Sequence, residues 1–549
     1  MDTKTRTCED CKTSFTIEAE ERAFYENIGT PAPLACPTCR AQQRLAFWPF
    51  GKFNKRVCDL SGERIISLYR ADAPFPVYKN TEWYSDKWQA PALVYDPNRP
   101  FFDQLYDLQT KTPRCHQFGT QNTACDWCDD VWESKNCHLC RSLLSCENLS
   151  YGYRTIRCRD SNDLCYCYDA EQSYDCTYCF KVFNVRHAFD TRDSMEGAFL
   201  YDCRNVRNCF MCWNLRNREY CIKNTQYSKE DYQTELAKHR LSSWEGFTNA
   251  QREFESRLRD DAIHRADFNV KCKDSTGNYM TECKQCRECN FLEESENCVR
   301  MFRGVKNKDG REGAGVLRGE LTYNLNQATD VYHLFHSNYC TNCRNSEYLD
   351  FCFECENCFG CIGLRNKHYC VLNKQYDEPA YHALVAEIKK AMIADGSYGK
   401  FFPYRMACGG YNLSLAGVFF PKTKAEVHAF RGLWEESGES GAEGRSVYEP
   451  PDDIAAVEDA AVGRALICTE TKRAFSITAE ELAFLRKHGI PLPREYPDVR
   501  TLHRIQRLFC ITPRPTICFS CKKNITSFYP PEWGYKKIYC NECYLKAVL

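Results

Sequence analysis

Cysteine recurs through the middle of the chain with a period of three residues. Thirteen of the fourteen cysteines between Cys125 and Cys221 share one phase of that period, and all eleven between Cys283 and Cys370 share one phase. An α-helix repeats every 3.6 residues and would drift out of step with this pattern within a few turns. The pattern therefore favours a stacked architecture that is not helical.

A second repeat, of twelve residues, runs through the first cysteine-rich segment. Its polar ladder consists of Asn136, Asn148, Asp160, Gln172, Asn184, Glu196 and Asn208. Its small or apolar ladder consists of Cys140, Gly152, Leu164, Cys176, Ala188, Leu200 and Cys212. Ladders at a constant step are typical of solenoids, in which each repeat packs on its neighbours.

The predicted fold is mainly β, a cysteine-ladder β-solenoid in two duplicated segments with helical caps. The coils have about twelve residues, or about twenty-four if they are paired, with cysteine, leucine and valine inside and asparagine at the corners. Residues 203–232 resemble residues 352–381 at an offset of 149, and each copy runs into a polar helix, at 228–262 and 377–394. A polyproline-II-type bundle is the alternative, although glycine and proline are too few to favour it.

Each end of the chain carries two CxxC pairs at a spacing that suits four thiolates around one zinc ion. The first set encloses a short helix that ends at Gly29, so each of its pairs is expected on a knuckle turn beside that helix. The second set encloses residues 527–539, which are expected to form a β-hairpin. The alternative is disulfides or free thiols. The predicted zinc ligands are Cys8, Cys11, Cys36, Cys39, Cys518, Cys521, Cys540 and Cys543.

The two ends are also copies of each other at an offset of 460 residues. The matched positions include Cys8 with Cys468, Phe24 with Phe484, Gly29 with Gly489, Arg40 with Arg500, Arg44 with Arg504 and Cys58 with Cys518. The ligands Cys11, Cys36 and Cys39 face Thr471, Tyr496 and Val499, whereas Cys521 faces Ser61. We therefore expect two double-ribbon modules, of which the first keeps its first metal site and the last keeps its second.

These patterns divide the chain into five predicted parts. They are an N-terminal double zinc-ribbon module (1–112), a first solenoid segment with its capping helix (113–262), a second such segment (263–434), an acidic linker (435–464) and a C-terminal double ribbon (465–549).

Composition and charge limit the binding partners and the cellular location expected for the protein. Lys and Arg total 73 against 74 for Asp and Glu, so no global basic field attracts nucleic acid or an anionic membrane. No apolar run is long enough for a membrane span, and the start of the chain lacks the apolar core of a secretory signal. The 39 cysteines then indicate metal ligands or buried reduced thiols in a cytoplasmic protein.

Two further metal hypotheses involve cysteines of the second segment. The run Cys352, Cys355, Cys358, Cys361 chains CxxC units as ferredoxins do, but it continues the ladder phase and lacks their Cys-Pro ending. Stacked thiols are therefore favoured over an iron–sulfur cluster or extra zinc. A site of two histidines and two cysteines, His333, His336, Cys340 and Cys343, is the other hypothesis, and surface or packing roles are favoured for its histidines.

The first forty residues, CEDCKTSFTIEAEERAFYENIGTPAPLACPTCRAQQR, resemble a family of probable treble-clef zinc ribbons. The whole chain, especially NCFGCIGLRNKHYCVLNKQY, resembles large cysteine-rich proteins of candidate-phyla-radiation bacteria. These resemblances imply zinc binding and a bacterial cytosolic setting, and they bring no reaction.

The chain lacks nucleophile-elbow, Walker, Rossmann and HExxH motifs, and the first hypothesis is therefore a non-catalytic zinc scaffold that binds another macromolecule. The alternative is RNA or DNA binding through the ribbons. Its phosphate contacts would be Arg40, Arg44, Lys52, Lys55 and Arg56, interleaved with Phe47, Trp48, Phe50 and Phe53. A polysaccharide-cleaving solenoid using Asp126, Asp129, Asp130 and Glu133, and metal storage by the thiols, are weaker hypotheses.

Overall fold

The computed structural model describes residues 4–50, 53–125, 127–144, 174–177, 180–317, 319–320, 323–326, 328–436, 444, 446–508 and 510–549, which form strands for the most part, with several helices. Two compact units are present, Met1–His116 with Phe268–Glu435, and Gln117–Asp267 with Glu436–Leu549. Each unit thus combines one terminal module with one cysteine-rich segment, and the N-terminal module belongs with the second segment. The five-part division of the sequence stays a prediction.

The helices are short apart from two of 17 residues. They are α1 (Ala19–Asn27), α2 (Pro37–Ala46), α3 (Asn80–Trp83), α4 (Phe101–Lys111), α5 (Lys229–Ala237), α6 (Trp244–Asp260), α7 (Glu378–Ala394), α8 (Leu415–Phe419), α9 (Lys424–Ala429), α10 (Ala479–His488), α11 (Pro497–Leu508) and α12 (Asn541–Val548). Short 3-10 turns occupy Tyr404–Met406, Tyr411–Leu413, Ile454–Ala456, Asp459–Ala461 and Pro531–Trp533. No described helix has the length and the apolar content needed to cross a membrane.

The strands fall into terminal hairpins and central stacks. Before the first stack they are β1 (Lys4–Thr7), β2 (Ser14–Ile17), β3 (Asn54–Val57), β4 (Arg64–Ser67), β5 (Val77–Tyr78), β6 (Arg114–Cys115), β7 (Asp129–Trp132) and β8 (Arg141–Leu144). The first stack consists of β9 (Tyr174–Thr177), β10 (Phe180–Phe189), β11 (Arg192–Tyr201), β12 (Arg204–Trp213), β13 (Arg216–Ile222) and β14 (Thr225–Gln226).

The later strands continue in chain order after β15 (Ile263–Arg265). The strands of the second stack are β16 (Gly277–Asn278), β17 (Cys289–Glu293), β18 (Phe302–Val305), β19 (Ala314–Leu317), β20 (Ala328–Thr329), β21 (Tyr332–Phe335), β22 (Cys340–Thr341), β23 (Arg344–Glu347), β24 (Glu356–Phe359), β25 (His368–Val371) and β26 (Lys374–Gln375). They form two sheets, in the orders β16-β17-β18-β19-β20-β22 and β21-β23-β24-β25-β26. The C-terminal strands are β27 (Leu466–Ile467), β28 (Ala474–Phe475), β29 (Arg514–Ile517), β30 (Asn524–Ser527) and β31 (Lys537–Tyr539).

The first stack is a parallel sheet in which each residue pairs with the residue twelve positions further on. Arg192 pairs with Arg204, and Arg204 pairs with Arg216. Only the last strand, β14, runs antiparallel to its neighbour β13. The twelve-residue repeat of the sequence therefore equals the separation between paired residues of neighbouring strands. The alternative coil of about twenty-four residues does not describe this pairing.

Both stacks place every third residue in the left-handed region of backbone conformation. In the first stack this series runs from Asn184 (φ 49°) to Lys223 (φ 50°), and the second stack has the same series from Tyr279 onwards. Each interior cysteine directly follows one of these residues, as Cys203 follows Asp202 (φ 48°). The three-residue period is therefore a series of backbone corners. Asparagine and aspartate tolerate the left-handed region best among residues with a Cβ, which explains the polar ladder.

The second stack repeats this geometry with the same register. Glu356 pairs with His368, and Cys358 pairs with Cys370, in parallel strands. Single bridges between residues twelve apart extend the pattern along the loops between strands, such as Asp350 with Ile362. The last strand, β26, again runs antiparallel to its neighbour. The two segments share one local architecture, as their sequence similarity predicted.

The ladder cysteines form the core of each stack. In the second stack all of them are buried, together with Met280, Leu292, Leu325, Leu334 and Leu349. Each thiol donates to backbone carbonyls, as the Cys340 Sγ does to the Asn338 oxygen at 3.3 Å. Every cysteine whose side chain is described is a free thiol. These residues therefore pack as small apolar groups with a weak donor.

Helices follow each stack, as expected, with one difference. The helix after the second stack, α7, spans Glu378–Ala394, and the Asp377 side chain accepts a hydrogen bond from the Ala380 N–H at its start. The predicted helix 228–262 is in fact two helices, α5 and α6, separated by a turn that ends at Ser243. The Ser243 side chain caps the start of α6 by accepting a hydrogen bond from the Gly246 N–H.

Some predicted positions lie outside the described residues. They are the ladder cysteines Cys146, Cys158, Cys167 and Cys179, the out-of-phase Cys165, the ladder positions Asn148, Gly152, Asp160, Leu164 and Gln172, the basic residue Lys52, the acid Asp126, and linker residues 437–443 and 445.

Candidate metal centres

The first CxxC pair lies on the turn of the β1–β2 hairpin. The Cys8 N–H donates to the Thr13 oxygen at 2.9 Å, and the Lys12 N–H donates back to the Cys8 oxygen at 3.1 Å. Lys12 adopts φ 61°, which closes the turn tightly. The resulting knuckle holds Cys8 and Cys11 on one side of the hairpin.

The second pair begins a helix, so the prediction of a knuckle turn for it is wrong. Cys36 precedes α2 and Pro37 is its first residue, where a fixed φ and a missing N–H favour helix initiation. The Cys36 N–H also donates to the Cys8 Sγ at 3.1 Å. The positive end of the α2 dipole therefore faces the thiol cluster, which favours thiolates.

The four sulfur atoms of this site meet the geometric demands of zinc. They all lie within 4.8 Å of one another, and the Cys11 and Cys36 Sγ atoms are 3.7 Å apart. Tetrahedral coordination with Zn–S bonds of about 2.3 Å requires sulfur–sulfur separations of about 3.8 Å. The residues present therefore fit a zinc ion, and four protein ligands leave no open position.

The C-terminal site has the same construction. Cys518 and Cys521 lie on the turn between β29 and β30, and Cys540 begins α12. The Cys540 N–H donates to the Cys518 Sγ at 3.3 Å, and the Cys521 and Cys540 Sγ atoms are 3.8 Å apart. All four sulfur atoms, including that of Cys543, lie within 4.8 Å of one another.

The hairpin expected over residues 527–539 is wrong. The strand β30 pairs with β29, on the N-terminal side of the knuckle, whereas β31 pairs in parallel with β15. The sequence PPEWG between them forms a 3-10 turn that separates the two strands. The hairpin of the module is formed by β29 and β30, and its turn carries Cys518 and Cys521.

Local contacts shift the pKa values of individual thiols in different directions. A hydrogen bond from Thr13 lowers the pKa of the Cys11 thiol to about 6. Burial raises the pKa of the Cys518 thiol, but backbone N–H groups of Cys540 and Cys521 outweigh it and lower that pKa to about 6. Burial raises the pKa of the Cys36 thiol. A bound cation would favour the thiolate form at all four positions, since metal ligation requires deprotonated sulfur.

The two degenerate ribbons keep the knuckle backbone. The Cys58 N–H donates to the Glu63 oxygen at 2.8 Å, and the Cys468 N–H donates to the Arg473 oxygen at 2.9 Å. At the second ligand position, the N–H groups of Ser61 and Thr471 donate to the Sγ of Cys58 and Cys468 at 3.4 Å. Hydrogen bonds thus stabilise these two turns, in which Ser61 and Thr471 replace the second cysteine of a CxxC pair. Among the described residues, the groups able to hold a metal ion are the two four-cysteine sets.

The structure does not assemble the predicted site of two histidines and two cysteines. His336 is fully buried and stacks on Tyr348 with ring centroids 4.9 Å apart, while the Cys343 Sγ donates to the Thr341 oxygen at 3.4 Å. The thiols of the Cys352–Cys361 run likewise face backbone carbonyls inside the stack. These cysteines therefore have the geometry of packing groups.

The acidic cluster of the first segment is engaged in local structure. The Phe118 N–H donates to Asp129 at 2.8 Å, and the Trp132 indole donates to Asp130 at 3.1 Å. Both carboxylates therefore serve the local backbone and side chains. A role for them in sugar cleavage stays a prediction.

Three of the predicted phosphate-binding residues are buried and bound to this chain's own carboxylates. Arg40 and Arg44 both contact Glu312, with the Arg44 Nη1 2.8 Å from its carboxylate. Arg56 is bound to Asp59 at 2.8 Å. Of the described members of the predicted set, Lys55 is exposed. The arginines are therefore structural, and nucleic-acid binding as a function stays a prediction.

Glu312 is the residue of this region that sequence reasoning missed. It is fully buried, and 268 residues separate it from Arg44 along the chain. The sequence around it, GREGAG, is rich in glycine, and nothing local marks the position as an ion-pair partner. The sequence signal that could have indicated it is the pair of arginines on one face of α2. Buried charges are paired in proteins, so burial of that face requires a carboxylate next to them.

Comparison with known proteins finds a likeness in the first ribbon of the N-terminal module. A family model described as a probable treble clef domain matches residues 2–46. No curated protein matches the chain, and no solved structure matches it. The match agrees with the hairpin-and-helix construction of the first site. The resemblance of the whole chain to bacterial cysteine-rich proteins has no support in these comparisons.

Proposed function

We propose that this chain is a non-catalytic zinc-binding scaffold in which two zinc ions fix the terminal modules onto cysteine-lined stacks. The observation that carries the proposal is the pair of closed four-cysteine groups. Sites with four protein ligands are typical of structural zinc, whereas catalytic zinc keeps a position open for water or substrate. The reduced thiols favour a cytoplasmic setting.

Contacts of the first metal module support a fixing role. The helices beside the site bind residues of the second stack: Glu21 of α1 is bound to Arg300, and Arg40 of α2 is bound to Glu312. Tyr25 packs edge-on against Tyr323 with ring centroids 5.2 Å apart. Because Cys36 and Cys39 lie at the start of α2, zinc binding would fix the direction of this helix. Its buried arginines contact Glu312 of the second stack.

The second module makes equivalent contacts within its own unit. Tyr544 of α12 donates to the buried Asp202, and Arg216 donates to the Tyr544 oxygen at 2.9 Å. The Arg265 guanidinium lies 5.1 Å from the centre of the Tyr544 ring. Two zinc ligands begin α12, so this metal too would orient a helix that is anchored on a stack.

We further propose that the two stacks are β-solenoids with four corners in each coil of twelve residues. The parallel register of twelve and the left-handed residue at every third position support this architecture. An extended, corner-rich surface of this kind suits a protein that binds another macromolecule along its length.

A substitution at one zinc ligand, with a matched control, tests the fixing role. Cys521→Ser is expected to remove one zinc ion per chain and to expose β31 and α12 to protease, since a three-ligand site binds zinc far more weakly. Thr471→Ser changes the equivalent position of a knuckle that lacks the other ligands, and it should retain both zinc ions. Retention of both zinc ions by Cys521→Ser would contradict the proposal.

The alternative function, nucleic-acid binding, is favoured by a surface that differs from the predicted one. On the C-terminal ribbon, Phe519 is 44% exposed and its ring stacks on Tyr539 at a centroid distance of 5.9 Å. The Lys522 Nζ lies 4.8 Å from the Phe519 ring centre, and Lys523 is exposed beside it. Exposed aromatic rings beside lysines suit stacking of single-stranded bases.

Binding of a fluorescent single-stranded RNA at several salt concentrations tests this alternative. Phe519→Ala and Lys523→Glu should each weaken binding, and affinity should fall steeply as salt rises. Lys424→Glu, an exposed charge change in the other unit, serves as the control. Equal binding by all three variants would contradict nucleic-acid recognition at this ribbon.

A further inference from the structure

In the unit formed by Gln117–Asp267 and Glu436–Leu549, a cavity of about 360 Å³ lies between α6 and α11. The end of β10, His187–Phe189, and Trp533 complete its walls. A volume of this size is within the range of small-molecule sites in proteins, which begins at about 300 Å³. Neither the zinc sites nor the stack interior accounts for it.

The wall formed by α6 is aromatic. Trp244, Phe247, Gln251, Phe254 and Leu258 line the cavity at spacings of three and four residues, which is one face of the helix. Phe254 is buried, whereas Trp244 and Phe247 are partly exposed. This face presents flat rings on which a planar ligand group could stack.

The opposite wall is cationic. Arg500, His503, Arg504 and Arg507 lie at spacings of three, one and three residues on α11, so they too share one helix face. Arg494 lines the cavity from the preceding loop, and its guanidinium lies 5.3 Å from the Trp244 ring centre. Guanidinium groups in this arrangement match the geometry of a phosphate or carboxylate.

Carboxylates hold part of this wall in position. Arg507 is bound to Glu255, Arg500 lies 3.8 Å from Glu481, and His503 contacts Glu495 and Glu470. Arg494 donates instead to a neutral group, the Pro450 carbonyl, at 3.4 Å. Among the described residues, the buried Nε of Arg494 has no hydrogen-bond partner. Arg494 is thus the guanidinium on this wall best placed to take an anionic ligand.

The other unit contains a cavity at the corresponding place of its own module. Pro33, Leu34, Ala35, Arg40 and Gln43 line a space of about 650 Å³ there. At the offset of 460 their counterparts are Pro493, Arg494, Glu495, Arg500 and His503, all of which line the smaller cavity.

The two copies differ in charge at this place. Leu34 corresponds to Arg494, Gln43 to His503, and Phe47 to Arg507. In the first copy the Phe47 ring packs on Phe401, with ring centroids 5.1 Å apart. The side chain at this position therefore belongs to the packed interior of that unit. In the second copy the same position lines the cavity with a guanidinium. Charged residues at these three positions therefore distinguish the C-terminal copy and are not required by the shared fold.

We propose that the cavity between α6 and α11 binds a small phosphorylated ligand with an aromatic ring, of the class of nucleoside monophosphates. The guanidinium groups of Arg494 and Arg507 hold the phosphate, and the ring stacks against the aromatic face of α6. The cavity volume suits one nucleotide. The site is separate from the zinc groups and independent of the scaffold proposal.

Titration of the zinc-loaded full chain with AMP, GMP, CMP and UMP tests the proposal. Calorimetry reports affinity, and tryptophan fluorescence reports the site because Trp244 and Trp533 line it. At least one nucleotide should bind saturably, and the same nucleoside without phosphate and inorganic phosphate alone should each bind at least tenfold more weakly. Phosphate binding as tightly as the nucleotide would overturn the ligand class.

Two variants restore the residues of the other copy and so test the residues named. Arg494→Leu and Arg507→Phe should each weaken nucleotide binding by roughly tenfold or more, as expected for loss of a charge-assisted hydrogen bond. Arg486→Gln removes an exposed arginine of the same module, bound to Asp459, and should leave affinity unchanged. Thermal melting shows that each variant is folded. Absence of saturable binding by all four nucleotides, or affinity unchanged in both variants, would overturn the proposal.

Discussion

Glu312 is a carboxylate buried between two guanidinium groups, and its charge is therefore tied to the fold. Burial alone would raise the pKa of Glu312, but Arg40 and Arg44 lower it to about 2 from its usual 4.5. Removing one partner of such a cluster leaves buried charge without compensation, which is costly. Glu312 therefore contributes to the contact between the N-terminal module and the second stack.

The variant Glu312→Gln is expected to lower the free energy of unfolding at neutral pH by about 3–5 kcal/mol, the usual cost of breaking a buried ion pair. Because the folded pKa is lowered, the ionised carboxylate stabilises the protein above about 4.5 and that contribution is lost as pH falls through about 2. Denaturant unfolding between these values should show the two proteins converging. Glu20→Gln, whose exposed carboxylate contacts Arg287, is the control and should behave as wild type. A constant difference at all pH values would contradict the assignment.

At the scale of elements, the three-residue period of cysteine is explained by backbone conformation. Every third residue adopts a positive φ, and the next residue faces the interior. Sequence pattern alone predicted the period, the twelve-residue step and the interior phase, because these are local and repeat many times. It did not predict that α2 and α12 begin at cysteines of the four-cysteine groups, since a CxxC pair is compatible with either a turn or a helix start.

A β-branched residue at one of the left-handed corners should destabilise its stack. Asn208 adopts φ 49°, a conformation that valine resists, so Asn208→Val is expected to lower the free energy of unfolding by about 1–2 kcal/mol. Arg207→Val, at the neighbouring exposed position outside the left-handed set, should change it by no more than about 0.5 kcal/mol. Denaturant unfolding measures both. Equal effects of the two substitutions would contradict the corner geometry.

The ladder cysteines are expected to act through packing. Cys355 is buried in the second stack, and its thiol donates to the Phe353 oxygen at 3.3 Å. Cys355→Ala should therefore lower the free energy of unfolding by about 1 kcal/mol, for loss of one buried atom and a small cavity. The zinc content should stay at two ions per chain. A fall in bound metal in this variant would assign the ladder a ligand role.

At the scale of the whole molecule, each unit pairs a terminal module that carries a four-cysteine group with a cysteine-rich stack, and the first module belongs with the more distant segment. Nothing in the local sequence encodes that pairing, because the contacts that make it, such as Arg40 with Glu312, join positions 272 residues apart. The duplication at an offset of 460 did identify which positions of the two modules correspond. Their divergence, from Leu34 to Arg494 and from Phe47 to Arg507, became interpretable only when the cavity was located.

Metal content per chain, determined by elemental analysis of protein purified under reducing and oxygen-free conditions, tests the central claim most directly. A titration of free thiols after unfolding and chelation accompanies it. Two zinc ions, no iron and every cysteine recovered as a thiol are the expected result, since the two four-cysteine groups are the proposed metal sites and the ladder thiols pack inside the stacks. Substantially more zinc, or stoichiometric iron, would show that the ladder cysteines bind metal and would contradict the account.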